Sequence, residues 1–529
     1  MSEPNSNNKW WTLGAVSIAI FMLLLDITVV NVALPDIRRD LNASFTDLQW
    51  VVDAYALTLA ASLLAFGSIA DQIGRRMIFI GGLGVFIAAS FACGLSNDPT
   101  TLNIARAVQG VGGAMMFSTS LALIANAFHG PDRATAFGVF GAVTGGAVAV
   151  GPLIGGVITD GIGWEWIFFV NVPIGIGAIA MTYAKVSESR DPHDYGIDWG
   201  GVATFSGSLL LLVLSLIKGN EYGWGSTRIV AQLAGSLALL ITFLVIEARR
   251  SHPLFDLSLF RKPAFSGASI AAFTLSASMF ALFLYITLYV QNILGFTPLE
   301  AGLRFLPVTL VSFFVAPIAG KLTAKIQPRI FLASGLLLIS IGILLMSGID
   351  ASSKWTVLLP GFIIAGVGIG LTNPPLASTA IAVVPPNRAG MGSGINSTFR
   401  QVGIATGIAG LGAIFQAQVN GKVGDLLAGT PVASRSKEIA EGISSGNVES
   451  IARSLPPESR DAVLHASREA FVSGFDRIFV VGAGIALVGA ICSAILVRPK
   501  DFVLTGTDRP GGPEHEPKAA APAPEATPA

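Results

Sequence analysis

The sequence predicts an all-α integral membrane protein, and three observations carry that reading. Of 529 residues, 52% are hydrophobic and only 12% charged; apolar runs of about 20 residues recur from end to end; and the runs are continuous, without period-two alternation. Lipid offers no partner to an unpaired backbone group, so the choice lies between helices and a closed barrel, and continuous runs select helices. The 33 basic and 33 acidic residues balance to a formal net charge of zero, which gives no sign of nucleic acid as a partner. Cys93 and Cys492 both fall in apolar runs and read as packing residues rather than a disulfide. The first run is too long for a signal-peptide core and has no small-residue cleavage site, so it reads as retained.

Fourteen spans are expected, centred near residues 22, 60, 86, 114, 147, 173, 208, 238, 278, 311, 338, 368, 403 and 485. An even count puts both termini on one side. Basic residues from Lys9, Arg75, Arg76 and Arg133 through Arg249, Arg250, Arg261 and Lys262 to Arg498 and Lys500 gather on that side, which makes it the cytoplasm. The expected division is a cytoplasmic N-terminus at 1–10, spans one to six over 11–185, spans seven and eight over 198–248 and a cytoplasmic linker at 249–264. Spans nine to fourteen then cover 265–418 and 473–497, with an extracytoplasmic loop at 419–470. The tail over 498–529 is rich in Pro and Ala and reads as disordered.

An internal repeat supports that division. QGVGGA at 109–114 aligns with AGVGIG at 365–370, an offset of 256, and the same offset carries Gly138, Ala147 and Gly151 onto Gly394, Gly403 and Gly407. Spans one to six and nine to fourteen then form two pseudo-symmetric six-helix halves, with spans seven and eight inserted between them. Such halves place a binding site near the midplane and transport by rocking one against the other.

Span one holds LLLDITVVNVALP, residues 23–35, with Asp26 in its outer half. A charge there costs at least about 2.5–3.5 kcal/mol on insertion scales and is rarely kept without a task. Span four carries Arg106 and Gln109 at comparable depth, and Asp53 enters span two from the same side, which suggests one polar cluster. A conformational change that alters the separation of a buried acid and a guanidinium loads and releases a proton. The alternative is a static ion pair that only specifies helix packing.

After span two the chain reads GxxxDxxGRR: Gly67 for close helix approach, Asp71 as acceptor or ion-pair member, Gly74 for a tight turn, and Arg75 and Arg76 as anchors, together a latch at one end of the helices. Span five supplies Gly138, Gly151, Pro152, Gly155 and Gly156, a bent helix with a closely packed face.

These motifs together resemble the major facilitator superfamily, and LDITVVNVALP with Trp164-Glu-Trp166-Ile-Phe-Phe-Val-Asn171-Val-Pro173 is similar to its fourteen-helix drug:proton antiporter branch. The resemblance covers about residues 10 to 500. It implies the major facilitator fold, proton coupling or cation binding at Asp26, coupling at Arg106 and a conformational latch around Asp71, with the 138–156 glycines as the antiporter motif of helix five. Three departures stand out: Gln72 replaces a basic residue, Ala147 replaces a glycine, and Glu165 stands where an arginine is common. In the second half Gly320-Lys-Leu-Thr-Ala324-Lys325 lacks the aspartate, and Arg106 falls on Phe362, so coupling chemistry is expected in the first half alone.

Substrate-binding candidates are Asn31, Gln109, Phe280, Phe283, Tyr285, Tyr289, Gln291, Asn396, Arg400 and Gln401, an aromatic surface with a few hydrogen-bonding groups. A cation in span thirteen invites an anionic or acceptor-rich group. The expected function is proton-coupled export of hydrophobic or amphipathic compounds by a monomer in a prokaryotic cell membrane, with lipids and protons as its other partners and no metal or cofactor beyond the proton gradient. The alternatives are export of an endogenous lipid or metabolite and, last, a non-transporting scaffold or sensor. No GxxxxGK[ST] loop occurs that would bring ATP.

Overall fold

The computed structural model describes residues 6–128, 131–190, 198–250, 256–323, 326–350, 352–384, 389–445, 455–498 and 501, and among them every long element is a helix. In order these are α1 (Ser6–Leu41), α2 (Phe45–Ile73), α3 (Arg75–Gly94), α4 (Pro99–Ala127), α5 (Pro131–Gly161) and α6 (Trp166–Lys185). Next come α7 (Trp199–Tyr222), α8 (Thr227–Arg249), α9 (Pro263–Ile293), α10 (Pro298–Leu322), α11 (Pro328–Leu345), α12 (Leu359–Ala382) and α13 (Ala389–Leu426). A short α14 (Ser436–Ser445) and the long α15 (Pro457–Leu496) complete the chain.

Local chemistry sets the helix boundaries. Arg38 and Arg39 occupy the last turn of α1, where cations suit the helix dipole, and Asn42 at φ 51° ends it in the left-handed region. Ser44 and Asp47 then open α2 with a capping box, as Thr297 and Glu300 open α10. Asp98 caps α4, and hydrogen bonds from Thr101 hold its carboxyl below the usual carboxylate range. Gly74 alone separates α2 from α3 at φ 137°, a conformation that only glycine adopts without strain.

Twelve helices among the described residues are long and apolar enough to cross a membrane, so the chain is a multi-pass membrane protein. These twelve are α1, α3, α4, α6 to α13 and α15. The helices α2 and α5, of 29 and 31 residues, run alongside them and include side chains outside the described set.

The helices pack as two groups with the same internal pattern. In the first, α1 packs on α5 and α6, α4 on α2 and α3, and α3 on α6; in the second, α9 packs on α13 and α15, α12 on α10 and α11, and α11 on α15. Between the groups α5 lies against α10 and α2 against α13, while the α7–α8 hairpin rests on α13 and α2. The start of α1 meets the end of α4 through Trp10 and Phe128, and the end of α1 meets the end of α9 through a 2.7 Å hydrogen bond from Gln291 to the Val32 carbonyl. The starts of α1 and α9 therefore share one side, here the terminal side, and their ends meet on the far side.

The far side departs from the expected polar loop at 419–470. Helix α13 runs on to Leu426, α15 begins at Pro457, and α14 buries Ile439, Ala440 and Ile443 against them while touching α2. Polar composition hid this cap because only one face of α14 is apolar. A second unexpected feature lies in α9, where Ser276–Phe280 and Tyr289–Ile293 are π-helical.

Candidate functional site

Asp26 lies inside the first group with its side chain 1% exposed. From α4, Arg106 donates through Nη1 to Asp26 Oδ2 at 2.5 Å, and Gln109 donates through Nε2 to Oδ1 at 2.9 Å. Arg106 and Gln109 are three residues apart and so share a helix face. From α6, Asn171 donates through Nδ2 to the same Oδ1 at 3.1 Å and to Ser90 Oγ at 3.0 Å. All three side chains offer N–H donors, the arrangement that suits a carboxylate anion.

Arg106 is fixed in turn. Its Nε donates to the Val51 carbonyl at 3.0 Å, its Nη1 also reaches Gln109 Oε1 at 2.8 Å, and the Tyr55 ring lies 4.3 Å from the guanidinium carbon. Buried pairs gain little over apolar packing, but removing one member strands the other at a cost of about 3–5 kcal/mol. The cluster is thus stable only as a set. Asn171, Ser90 and Tyr55 were not singled out as site residues from sequence. The signal for Asn171 was there, a lone amide in the apolar WIFFVN stretch.

Asp53 does not join this cluster. It is fully buried, and neither carboxylate oxygen has a hydrogen-bond partner among the described residues. The expectation rested on depth along α2, whereas Val51 and Asp53 differ by two residues, about 200° around the helix axis. Val51 and Tyr55 face Arg106, so Asp53 faces away. It shares its face with Gln49, one turn earlier, whose Nε2 donates to the Tyr285 hydroxyl and the Ile408 carbonyl of the second group, each at 3.4 Å. Asp53 therefore sits at the seam between α2 and α13.

At the terminal end of α2 a tie is observed that was not among those expected. The surroundings of Asp71 lie outside the described residues. Glu188, in the segment after α6, accepts from the backbone N–H of Arg76 at 2.9 Å and of Met77 at 3.2 Å, an acid at the positive end of α3. Arg76 also donates through Nη1 to the Val186 carbonyl at 3.1 Å, and the Arg75 N–H to the Ser189 carbonyl at 2.9 Å. A Cβ on Gly74 would collide with the Glu188 carboxylate. Gly67, expected to permit close approach, would hold a Cβ 3.8 Å from Ser118, an ordinary contact. Helix α4 is not pressed against it.

Along α5, Gly155 and Gly156 meet backbone and Gly151 meets a side chain. A Cβ on Gly151 would strike Thr28, one on Gly155 would meet the Val29 carbonyl, and one on Gly156 would lie 2.6 Å from the Pro298 carbonyl of α10. Gly302 of α10 abuts the Pro152 carbonyl reciprocally. The contacts of Gly138 lie outside the described residues.

The substrate-binding candidates divide. Gln109 belongs to the Asp26 cluster; Tyr285 donates to the Ile408 carbonyl at 2.6 Å; Tyr289 stacks on Phe475 at 4.8 Å; Gln291 holds Val32; and Asn396 donates to the Ala268 carbonyl at 3.3 Å. These five are engaged in packing in this conformation, because each lies on a helix-to-helix seam. Phe280 and Phe283 are partly buried, edge to face at 6.0 Å, and the Arg400 guanidinium lies 6.0 Å from the Phe280 ring. Asn31 Oδ1 and Gln401 Oε1 are buried without partners among the described residues.

The Major Facilitator Superfamily model matches residues 16–408, and the chain belongs to that superfamily of membrane transporters, which are not enzymes. It is 30% identical over 485 residues to the tetracenomycin C resistance and export protein of Streptomyces glaucescens, covering 91% of this chain and 90% of that protein. It is 36% identical over 411 residues to the puromycin resistance protein pur8 of Streptomyces alboniger, covering 77% and 82%, and 35% identical over 407 residues to the multidrug resistance protein Stp of Mycobacterium tuberculosis, covering 77% and 76%. Among solved structures, a bacterial homologue of the human lysosomal transporter Spinster, inward-facing and unoccupied, superposes with a TM-score of 0.61 at 17% identity, over 95% of this chain and all of that one.

Proposed function

We propose that the chain is a proton-coupled exporter of hydrophobic or amphipathic compounds, of the multidrug-efflux type, with Asp26 as its proton-carrying site. The observation that carries the reading is the sealed Asp26 carboxylate, ringed by N–H donors from Arg106, Gln109 and Asn171. Relatives named for antibiotic resistance and export support the cargo class.

In this reading α2 and α5 also cross the membrane, making fourteen spans. The units are 11–185 and 265–418 with 473–497 as moving halves, 198–248 as an inserted hairpin, 419–470 as the outer segment, and 249–264 and 498–529 as cytoplasmic linker and tail. The terminal side is the cytoplasm, following the Lys and Arg bias.

With the far side closed by α5 on α10, Asp26 is paired and its proton has left to the cytoplasm. Cargo enters from the terminal side. Rocking then parts the far-side seam, water reaches Asp53 first, and a proton passed to Asp26 releases Arg106 from its pairing. A protonated Asp26 leaves Arg106 with only neutral partners, a buried charge that favours return to the paired state. Each cycle thus exchanges cargo for protons with no cofactor beyond the gradient, and a monomer suffices because both halves belong to one chain.

The test is transport into vesicles under an imposed pH gradient, using cationic, neutral and anionic amphiphiles. Asp26→Asn is expected to abolish pH-driven transport while the protein still inserts. Wild-type transport by that variant would remove Asp26 from the coupling step.

A further inference from the structure

The seam between α9 and α13 carries polar groups that the Asp26 cluster does not use. Asn396, Arg400, Gly403 and Gly407 follow one face of α13 at spacings of three and four. That face meets α9: Asn396 bonds the Ala268 carbonyl, and a Cβ on Gly403 or Gly407 would strike the backbone of Phe273 or Ala277. Arg400 therefore stands beside the π-helical segment Ser276–Phe280, with its guanidinium carbon 6.0 Å from the Phe280 ring. Segments of this kind recur at functional sites because they turn side chains out of the regular helical register.

Arg400 has no acidic partner among the described residues. Beside it, Ser276 Oγ and Gln401 Oε1 are buried and also without hydrogen-bond partners among the described residues. Phe280 meets Phe283 edge to face at 6.0 Å, and Phe283 meets Phe305 at 5.6 Å, so the cation borders an aromatic wall. The position 256 residues earlier is Thr144, so the cation is not inherited from the repeat. In the first group the guanidinium is answered by an acid of the chain itself. Here no acid among the described residues answers it.

We propose that this seam is the anion subsite for cargo, which makes aromatic and polycyclic acids part of the transported class. A planar guanidinium takes a carboxylate or delocalised oxyanion in bidentate fashion, which an amine or simple alcohol does not match, while the ring system lies on Phe280 and Phe283. The inference rests on the export reading, since it assigns a cargo class to that same exporter.

Equilibrium binding to the purified full-length protein in detergent tests it, by calorimetry with a micelle-only blank. The probes are pyrene-1-carboxylate, pyrene-1-carboxamide and pyrene-1-methylammonium, which share one ring system. Wild type is expected to bind the carboxylate about tenfold more tightly than the ammonium. Arg400→Gln loses that preference through weaker carboxylate binding, leaving the amide within about twofold, and Arg400→Lys retains part of it. Phe280→Ala, a second variant free of charge effects, weakens carboxylate and amide alike and preserves their ratio. The proposal is overturned if wild type does not bind the carboxylate, if Arg400→Gln leaves carboxylate affinity unchanged, or if it weakens all three probes equally. Because binding needs no gradient, loss of pH-driven transport with Arg400-dependent carboxylate binding would fault the export reading alone. Pumping with Arg400-independent binding would fault the subsite alone.

Discussion

Asn171 occupies an unusual position for a neutral residue, since its one amide group donates both to Asp26 Oδ1 and to Ser90 Oγ. Removing it as Asn171→Ala leaves Gln109 as the remaining neutral donor to that oxygen, so the anionic form of Asp26 loses a hydrogen bond worth about 1.5–3 kcal/mol when the acceptor is charged. Asn171→Ala should therefore loosen the Asp26 cluster and slow pH-driven transport while the protein still inserts. Vesicle transport under an imposed pH gradient checks this; a wild-type rate would mean that Asn171 only packs. At this scale much of the site was legible in sequence. Asp26 and Arg106 are charges in apolar runs at matching depth, and the 2.5 Å contact joins them. What depth does not encode is azimuth, and that is why Asp53 was expected beside Arg106 and lies instead on the face turned to α13. Glu188 was hidden for another reason: an acid after a span is ordinary until the fold brings it to the start of α3.

Helix α5 concentrates the element-scale chemistry. Gly156 and Gly302 let α5 and α10 meet backbone to backbone on the far side, with no room for a methyl group at either position. Gly156→Val should force the two helices apart, cost about 1–3 kcal/mol through overpacking and lower transport. Gly67→Ala supplies the contrast, because among the described residues a Cβ there meets only an ordinary contact and replaces a residue that weakens a helix interior by about 0.5–1 kcal/mol. Thermal unfolding of both variants separates the cases: melting should fall for Gly156→Val and hold or rise for Gly67→Ala. The glycine spacing was readable beforehand, but which glycines touch backbone depends on where the neighbouring helix runs. The π-helical turns of α9 leave no residue signature, since Ser, Ala, Met and Phe also build regular helices.

Across the whole molecule, the 256-residue offset was the most informative sequence signal. It carries α2 to α5 onto α10 to α13 nearly end for end, and the packing pairs correspond. The two groups nevertheless differ in the polar groups they bury. One contains a satisfied acid–guanidinium cluster and the other a guanidinium with no acidic partner among the described residues, so one shared frame holds two different buried chemistries, which the proposed reading assigns to proton and cargo. The contact face through α5 and α10, together with Gln291 on Val32, closes the far side in this conformation. In the proposed cycle, opening it breaks those contacts while the Asp26 cluster changes partners, so that one motion couples the two events. The cap formed by α14 lay beyond sequence reading because its apolar stripe spans a single ten-residue helix.

The central claim is that Asp26 carries the proton, and ligand-triggered proton flux measures it most directly. Proteoliposomes with an acidic lumen and a trapped pH dye, challenged from outside with the amphiphile panel, should show lumen alkalinisation with the wild-type chain and none with Asp26→Asn. Alkalinisation by Asp26→Asn at the wild-type rate would contradict the account.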